Sequence, residues 1–515
     1  MAETRDDSRG GTAAGIDQAA APSLRRRRDS ANASVLLSKA QLSCVLLAAG
    51  AIGYGAYSRP RLTIIAVVAG CIAFYLAASV LKLIIMVAGR GHRPPPRVQV
   101  PADDQDLPGY AVLLPVHKEA NMLGHLVARV ERLRYPRRRL CALLLIEAGD
   151  RETLDAAREL GIPLCSGSRR LAPGERARGG HLRALVVPPG GPTTKPNALN
   201  AAMGVVVSEG CEFLTIYDAE DRPEPDQLLK AVGTFRVASP KLACLQAELA
   251  FWNDDTNWVT ALYWISYKVH FTRVLPGLAR LGLPVPLGGT SNHFRVSALL
   301  DVALESGGEA WDPYNLTEDA DLGARLAAGG YRVDLLRTTT MEEAPVAMRV
   351  VDKQQRRWKA GYLQTGLVHT RRPLRAMRRM GLVRWLCFSL LILGVPVTFV
   401  INPLFNALTI AYFVTRSPLI AEVFPTPVYY PAVAVMLLGN FVVIYELAHT
   451  CLAEAESARG RFGLVPYLLL IPLMWLWMSR STCIAMLELV TGRRGWHKTP
   501  HGHAEEPIAP RLVSQ

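Results

Sequence analysis

The sequence has no cysteine pattern typical of a metal site or a disulfide framework. Its nine cysteines are scattered, odd in number and without a C-x-x-C pair, and several lie inside apolar stretches. We therefore interpret them as reduced packing residues. Zinc-ligand spacings and aromatic–basic modules are missing too, which argues against nucleic acid as a partner although the formal net charge is +14. In a membrane protein that charge indicates a cytoplasmic face beside anionic lipid, or an anionic substrate.

The sequence contains several long apolar blocks with few charged residues, a pattern typical of a membrane protein. The first two blocks, residues 41–57 and 62–88, are long enough to span a bilayer, so we predict two transmembrane helices within residues 39–90. Basic residues flank both outer sides, which places both flanks in the cytoplasm. No secretory signal is evident, and the polar, basic segment 1–38 is expected to be disordered.

Three further apolar blocks follow, at residues 385–414, 428–449 and 462–490. We expect transmembrane helices within residues 381–450, the first of them long and kinked. The most apolar part of the last block is only about fifteen residues, so residues 451–492 are predicted to be an interfacial or transmembrane helix. Basic residues place the tail, 493–515, in the cytoplasm. The pattern predicts a multi-pass protein of the inner (plasma) membrane, with the lipid bilayer as a partner.

Residues 91–380, between the two sets of apolar blocks, alternate strand-like and helix-like segments. The apolar strands are predicted at 110–115, 141–146, 182–187 and 213–217. The intervening helices are predicted at 119–133, 152–160 and 196–208. Continuous apolar strands separated by helices favour a mainly parallel sheet covered on both faces. We therefore predict an α/β cytoplasmic domain inserted between α-helical transmembrane segments.

A cluster of three carboxylates, Asp218, Glu220 and Asp221, follows the strand at 213–217. Pro223 then helps to break the backbone, which leaves the acids at the end of the strand. Ligand chemistry in α/β sheets usually lies at the carboxyl ends of strands, and oxygen ligands there suit Mg²⁺ or Mn²⁺. A solvated acidic turn is the simpler alternative.

Other residues with potential binding chemistry lie before and after this cluster. Asp150 follows the second strand, where a carboxylate can accept a hydrogen bond from a ribose or a base. Lys195 begins a helix, and a lysine with free helix N–H groups suits a diphosphate. Thr317, Glu318 and Asp319 begin a helix predicted at 318–328, for which helix capping by Thr317 is the simpler alternative.

A final motif, Gln354-x-x-Arg357-Trp358, opens a basic segment that can also be a helix beside lipid headgroups. Taken in order, the motifs resemble those of processive, membrane-embedded family 2 glycosyltransferases, which include bacterial cellulose synthases, hyaluronan synthases and chitin synthases. That family carries D, DxD, TED and QxxRW between spanning helices. The resemblance extends over residues 40–502, and the stretches at 218–223, 286–293 and 311–319 are most similar to bacterial exopolysaccharide synthases of the cellulose synthase-like branch.

The resemblance implies a GT-A-type domain that inverts the configuration of the sugar as it transfers it from a UDP-sugar donor to a growing polysaccharide acceptor. It implies Mg²⁺ or Mn²⁺ on Asp218 together with Glu220 or Asp221, and leaves the choice open. The implied nucleotide-sugar-binding residues are Glu119, Asp150, Lys195, Asp218, Gln354, Arg357 and Thr499. Thr499 belongs to a segment, 496–501, similar to the family's gating loop, where His501 replaces the expected lysine.

The same resemblance implies roles on the acceptor side. Asp319 is implied to be the general base, in a catalytic motif with Glu318 and Thr317, and Trp358 and His293 to bind the acceptor. Packing of Trp358 and His293 near the membrane junction is the alternative.

Two alternative functions stay open. A non-processive lipid-linked sugar transferase would use the same donor site, although QxxRW accompanies chain extension. A transporter or receptor with a degenerate domain is disfavoured by the complete set of acids. The sugar, the linkage and any export partner are not indicated by the sequence.

Overall fold

Nine strands form one sheet within residues 32–165, 180–454 and 463–492, which the computed structural model describes. The strands are β1 Gly109–Val116, β2 Leu140–Glu147, β3 Leu164–Cys165, β4 Leu182–Val187, β5 Cys211–Ile216, β6 Arg222–Pro223, β7 Leu242–Phe251, β8 Asn292–Arg295 and β9 Arg332–Glu342. Strands β1 and β2 are almost continuously apolar because both faces of the sheet are covered. Residues 1–31 of the predicted segment 1–38, and all of the predicted segment 493–515, including Thr499, lie outside the described residues.

The strand order is β3-β4-β2-β1-β5-β8-β7-β9-β6. Strands β3, β4, β2, β1 and β5 are joined by parallel pairings, and β7 pairs with β9 in parallel. The short β8 is antiparallel to both of its neighbours. The predicted fold class, an α/β domain with a mainly parallel sheet between apolar helices, is confirmed. Parallel pairing places the carboxyl ends of β2, β1 and β5 side by side, so the residues that follow them share one edge.

Helices cover the sheet, and further helices precede and follow the domain along the chain. In chain order they are α1 Lys39–Ser58, α2 Pro60–Arg90, α3 Leu123–Glu131, α4 Arg151–Glu159, α5 Lys195–Ser208, α6 Gln227–Val237, α7 Trp258–Val269, α8 Leu275–Arg280, α9 Val296–Ser306, α10 Glu318–Ala328, α11 Met348–Thr370, α12 Pro373–Met380, α13 Leu382–Thr415, α14 Pro418–Val423, α15 Thr426–Met436, α16 Val443–Glu454 and α17 Ile471–Val490. Short 3₁₀ or π turns lie at Ala120–Met122, Arg137–Arg139, His270–Val274, Leu437–Val442 and Val465–Leu470.

The domain has a hydrophobic core on each face of the sheet. Alternate side chains of a strand point to opposite faces. Accordingly, Ala111 and Leu113 of β1 pack in one core, while Val112 and Leu114 pack in the other. This two-sided burial fixes the strand ends that carry the polar residues described below.

Five helical stretches of the described chain are long and apolar enough to cross a membrane. They are Lys39–Ser58, Pro60–Arg90, Leu382–Thr415, Thr426–Ala453 and Val465–Val490. Helix α13 continues through Pro396 and Pro403, as a single long helix rather than a hairpin. The last stretch also has spanning length, so the choice between interfacial and transmembrane placement for residues 451–492 stays a prediction. The length and the apolar composition of these helices indicate a membrane-associated protein.

Candidate active site

A cavity of about 170 Å³ opens at the carboxyl ends of β1, β2 and β5. Side chains from distant parts of the sequence meet in its wall. The predicted site residues that line it are Glu119, Lys195, Asp218, Glu220, Thr317, Glu318, Asp319, Gln354, Arg357 and Trp358. The motifs that are separated along the chain therefore form one site.

Lys195, the first residue of α5, is the cation in the centre of this wall. Its Nζ contacts the Asp218 carboxylate and donates a hydrogen bond to the carbonyl oxygen of Gly289 at 3.0 Å. Burial by itself lowers the pKa of Lys195, but the negative charges of Asp218 and Glu318 outweigh it and raise the pKa above the usual lysine value. Lys195 therefore keeps its positive charge, as a group that holds a diphosphate must.

Asp221 turns away from the cavity, whereas Asp218 and Glu220 line it. Asp221 is only 1% exposed, and its Oδ2 accepts hydrogen bonds from the Asp218 backbone N–H at 2.7 Å and from the Thr290 hydroxyl. This carboxyl thus stabilises the turn after β5. Burial, followed by the charge of Asp218, raises the pKa of Glu220 to about 8. Of the three acids that follow β5, Asp218 and Glu220 are therefore the ones available to a ligand in the cavity.

The carboxylate oxygens at this wall suit a divalent cation whose remaining coordination positions are filled by a diphosphate. No three His, Cys, Asp or Glu side chains of the described ranges converge as a preformed metal site. Mg²⁺, however, is commonly held by one or two carboxylates together with substrate phosphates. Asp218 and Glu220 supply that number, and a cation would offset both the burial and the charge of Asp218 that together raise the pKa of Glu220.

Thr317 occupies the position before α10, but its side chain makes no capping hydrogen bond to the helix. Its hydroxyl lies 3.4 Å from that of Thr365 on α11 instead. Simple helix capping therefore does not account for this threonine. Its contact joins the beginning of α10 to α11.

Asp319, in the first turn of α10, lies in the cavity wall with Glu318. Its Oδ1 accepts a hydrogen bond from the Ala320 N–H at 2.7 Å. Burial, followed by the charge of Glu318, raises the pKa of Asp319 to about 7, while Lys195 and Arg357 oppose that rise. A carboxylate whose pKa lies near neutrality is suited to accept a proton during catalysis.

Gly289 allows the loop before β8 to pass beside Asp319. Its φ is +82°, and a Cβ at this position would lie 3.1 Å from Asp319 Oδ2. Both features favour glycine. The same residue binds Lys195 through its carbonyl, so this loop holds the cation and the candidate base on one side of the cavity.

Helix α11 supplies Gln354, Arg357 and Trp358 to the opposite wall. The Tyr263 hydroxyl donates a hydrogen bond to Gln354 Oε1, and the ring centroids of Trp358 and Tyr267 are 6.5 Å apart. Burial raises the pKa of both Glu318 and Asp319, and the charge of Arg357 opposes that rise. Helix α11 is therefore part of the cavity as well as a packing element.

Replacing Gly361 by alanine should separate α11 from α10 and lower the transfer rate by about 10²-fold, because displacements of about 1 Å can cost this much. The added Cβ would lie 2.5 Å from the Thr317 side chain and 2.7 Å from its backbone nitrogen. Initial rates of sugar transfer measure the effect. Gly204→Ala is the matched control, since no atom lies within 4 Å of its added Cβ on helix α5. Equal rates for the two variants would contradict the packing argument.

Asp150 and His293 are not brought to the cavity. Asp150 begins α4, and its Oδ2 accepts hydrogen bonds from the Lys118 N–H at 2.5 Å and the Thr153 hydroxyl at 2.9 Å. His293 is fully buried in β8, 2.6 Å from the Tyr110 hydroxyl, and burial lowers its pKa to about 3. The predicted contacts of Asp150 with a nucleotide and of His293 with an acceptor gain no support from these positions, which fit backbone capping and core packing.

The sequence prediction missed two acids of the cavity wall, Glu147 and Glu342. Each is the last residue of a strand, β2 and β9, which is the signal that singled out Asp218. Within the described part of the chain, Glu147 Oε1 is buried without a hydrogen-bond partner, and burial raises its pKa. Burial, followed by the charges of Asp221 and Glu220, raises the pKa of Glu342. Glu147 offers a free acceptor where Asp150 does not.

Residues 213–443 match the family model described as glycosyl transferase family group 2. Among curated proteins, the chain is 24% identical over 297 residues to probable glucomannan 4-beta-mannosyltransferase 1 of Arabidopsis thaliana, covering 57% of this chain and 49% of that protein. It is 31% identical over 170 residues to glucomannan 4-beta-mannosyltransferase 7 of the same plant, covering 32% and 29%. The chain thus spans about half the length of these relatives, or less.

Solved structures are similar at lower identity. A mannosyltransferase from Pyrobaculum calidifontis in complex with GDP-Man and Mn²⁺ aligns with a TM-score of 0.49 and 14% identity, over 84% of this chain and 100% of that chain. TarS residues 1–349 of S. aureus in complex with UDP-GlcNAc aligns with a TM-score of 0.36 and 11% identity, over 75% and 92%. Residues 213–443 thus match a family 2 glycosyltransferase model, the mainly parallel α/β sheet has a GT-A-like fold, and the chain is similar in sequence to plant glucomannan 4-beta-mannosyltransferases.

Proposed function

We propose that this protein is a membrane-integrated, inverting β-glycosyltransferase that polymerises a sugar from a nucleotide-sugar donor and moves the product across the membrane. The observation that supports this most is one cavity lined by a diphosphate-binding cation, Lys195, two acids, Asp218 and Glu220, and a buried base, Asp319. Residues 354–358 complete the wall. By the distribution of basic residues, the domain lies on the cytoplasmic side of the plasma membrane. Membership of the bacterial exopolysaccharide branch is part of this proposal.

The donor is a nucleoside-diphosphate sugar. Lys195 and Arg357 hold the diphosphate, and Glu147 and Glu119, at the β1–β2 end of the cavity, contact the nucleoside. The resemblance to the processive family 2 enzymes favours a UDP-sugar. The plant relatives, which are glucomannan mannosyltransferases by name, make a mannosyl nucleotide the second candidate.

Mg²⁺ or Mn²⁺ would be held by Asp218 and Glu220 together with the diphosphate. When bound, such an ion neutralises the charge that develops on the leaving group. Lys195 contributes a fixed positive charge to the same purpose, since its Nζ lies against Asp218 at this wall.

In the transfer step, Asp319 takes the proton from an acceptor hydroxyl as that oxygen attacks the anomeric carbon. The new C–O bond forms opposite the bond to the diphosphate, which breaks, and the nucleoside diphosphate leaves with the bonding electron pair. An α-linked donor therefore gives a β-glycoside. Lys195 and Arg357 stabilise the departing charge.

The acceptor lies against Trp358, whose ring belongs to both the cavity and a hydrophobic cluster with Ile471 and Met474 of α17. An apolar ring can stack on a sugar and still let it slide. Because α17 lies in a stretch of spanning length, this wall leads from the active site toward the membrane. That continuity supports the proposal of chain extension and translocation.

Incubating the purified, membrane-reconstituted protein with one donor at a time tests the function. UDP-glucose, UDP-N-acetylglucosamine and GDP-mannose are supplied with radiolabelled sugar, and the product is sized and digested with linkage-specific β-glycanases. One donor should give a long β-linked polymer. Single-sugar lipid adducts would instead assign the protein to the lipid-linked transferases, and donor binding without transfer to any acceptor would favour a transporter or receptor.

A further inference from the structure

A second cavity, of about 150 Å³, lies at the other end of α10 from Asp319. Arg325 and Ala328 of α10 contribute to its wall, and helices α9, α11 and α12, with the turn at 371–372 between the last two, supply the rest. The basic residues that line it are Arg325, His369, Arg371, Arg372, Arg375 and Arg379. The glycosyltransferase mechanism above uses none of them.

Part of this positive charge is compensated by acids. Glu305 accepts a hydrogen bond from Arg379 at 2.7 Å, and Arg325 pairs with the buried Asp321 at 2.5 Å. His369 also contacts Asp321, with 2.8 Å between its Nε2 and the carboxylate. These contacts hold the wall in place and connect it to α10.

The remaining charge has no acid partner at hydrogen-bond distance. Arg371 donates to the backbone carbonyl oxygens of Asn32, at 2.7 Å, and Val35. Arg372 and Arg375 are exposed and make no ion pair with any residue of the described ranges. Three guanidinium groups therefore face one small cavity, a surplus that suits a phosphate bound by planar, multiple hydrogen bonds.

The cavity lies where the domain meets a candidate membrane helix. Arg372 directly precedes helix α12 and Arg375 lies in its first turn, and the helix ends two residues before α13 starts. Exposed apolar side chains lie close by in the sequence: Leu374 on α12 is 67% exposed, Val383 at the beginning of α13 69%, and Leu304, next to Glu305, 75%. Basic groups beside exposed apolar groups are typical of the headgroup level of a membrane.

We propose that this cavity binds the phosphate of an anionic phospholipid. Arg371, Arg372 and Arg375 bind the headgroup phosphate, while Leu374 and Val383 contact the beginning of the acyl chains. The lipid is favoured over a soluble phosphate because the apolar rim gives only a lipid a second contact. Through Arg325 and His369, which both bind Asp321, the lipid site is joined to the helix that carries Asp319.

The test measures retention of phosphatidylglycerol by the full-length protein in mixed phosphatidylcholine–phosphatidylglycerol nanodiscs, by native mass spectrometry. Since one arginine near an anionic surface contributes about fivefold in affinity, Arg375→Gln should weaken retention about fivefold and Arg372→Gln/Arg375→Gln about thirtyfold. Arg378→Gln is the matched control, because Arg378 is exposed on the same helix but does not line the cavity. It should retain the lipid as the unmodified protein does.

Competition identifies the source of the phosphate. Inorganic phosphate at tens of millimolar should leave phosphatidylglycerol bound, because it lacks the apolar contact. Displacement of the lipid by phosphate would assign the site to a soluble anion and overturn the proposal, as would equal losses in Arg375→Gln and Arg378→Gln. Thermal unfolding measurements check that each variant is folded. If the double variant is unstable, Arg375→Gln alone provides the test.

Discussion

Asp319→Asn should reduce sugar transfer by about 10³-fold or more, within the range that general bases contribute, while leaving nucleotide binding almost unchanged. Asparagine retains the shape of the side chain and can still accept the Ala320 N–H, but its amide cannot take a proton from the acceptor hydroxyl. Steady-state rates with the active donor measure the loss. Calorimetric titration with the nucleoside diphosphate measures the binding that should persist.

Glu147→Gln is the control for removing a cavity carboxylate elsewhere. Because Glu147 lies at the end of β2, on the proposed nucleoside side, this change should raise KM for the donor more than it lowers kcat. Loss of nucleotide binding in Asp319→Asn would contradict the assignment of the base, since Asp319 is placed on the acceptor side.

The pH dependence provides a second readout for Asp319. Its raised pKa, about 7, means that the carboxyl is protonated and inactive below that value. The kcat/KM of the unmodified enzyme should therefore rise as the pH increases through about 7, and Glu147→Gln should keep that rise. The residual rate of Asp319→Asn should not show it.

The sequence predicted the elements whose pattern of apolar residues is set by their burial in the domain. Strand β4 and helix α10 occur with the predicted bounds, Leu182–Val187 and Glu318–Ala328. The second half of the sheet was not predicted, and its strand β8 has only four residues and is held by antiparallel pairing on both sides. Such a strand depends on its neighbours more than on its own sequence.

The sequence predicted which residue types form the candidate site, but not which of their side chains face the cavity. Glu147 is the last residue of β2 and Asp150 lies three residues further on, so the sequence alone does not separate them. In the structure, both oxygens of Asp150 accept hydrogen bonds from residues 118 and 153, and Glu147 faces the cavity. The backbone conformation at the end of β2 determines which of the two acids faces the cavity. The hydrophobic periodicity of the sequence carries no information about that conformation.

Chelation of divalent cations by EDTA should stop transfer, and added Mn²⁺ or Mg²⁺ should restore it, if Asp218 and Glu220 hold the ion that neutralises the leaving diphosphate. Glu220→Gln should raise the Mn²⁺ concentration needed for half-maximal rate at least about tenfold, since it removes one of two charged ligands. Its unfolding temperature should change little, because Glu220 faces the cavity.

Asp221→Asn is the variant that discriminates between the two acids. Asp221 is buried and binds the Asp218 N–H and the Thr290 hydroxyl, so its replacement should destabilise the fold by about 1–3 kcal/mol and leave the Mn²⁺ requirement unchanged. The opposite pattern, a raised Mn²⁺ requirement in Asp221→Asn and none in Glu220→Gln, would place the ion on Asp221. Full activity in EDTA would remove the metal from the mechanism and leave Lys195 and Arg357 as the groups that stabilise the leaving diphosphate.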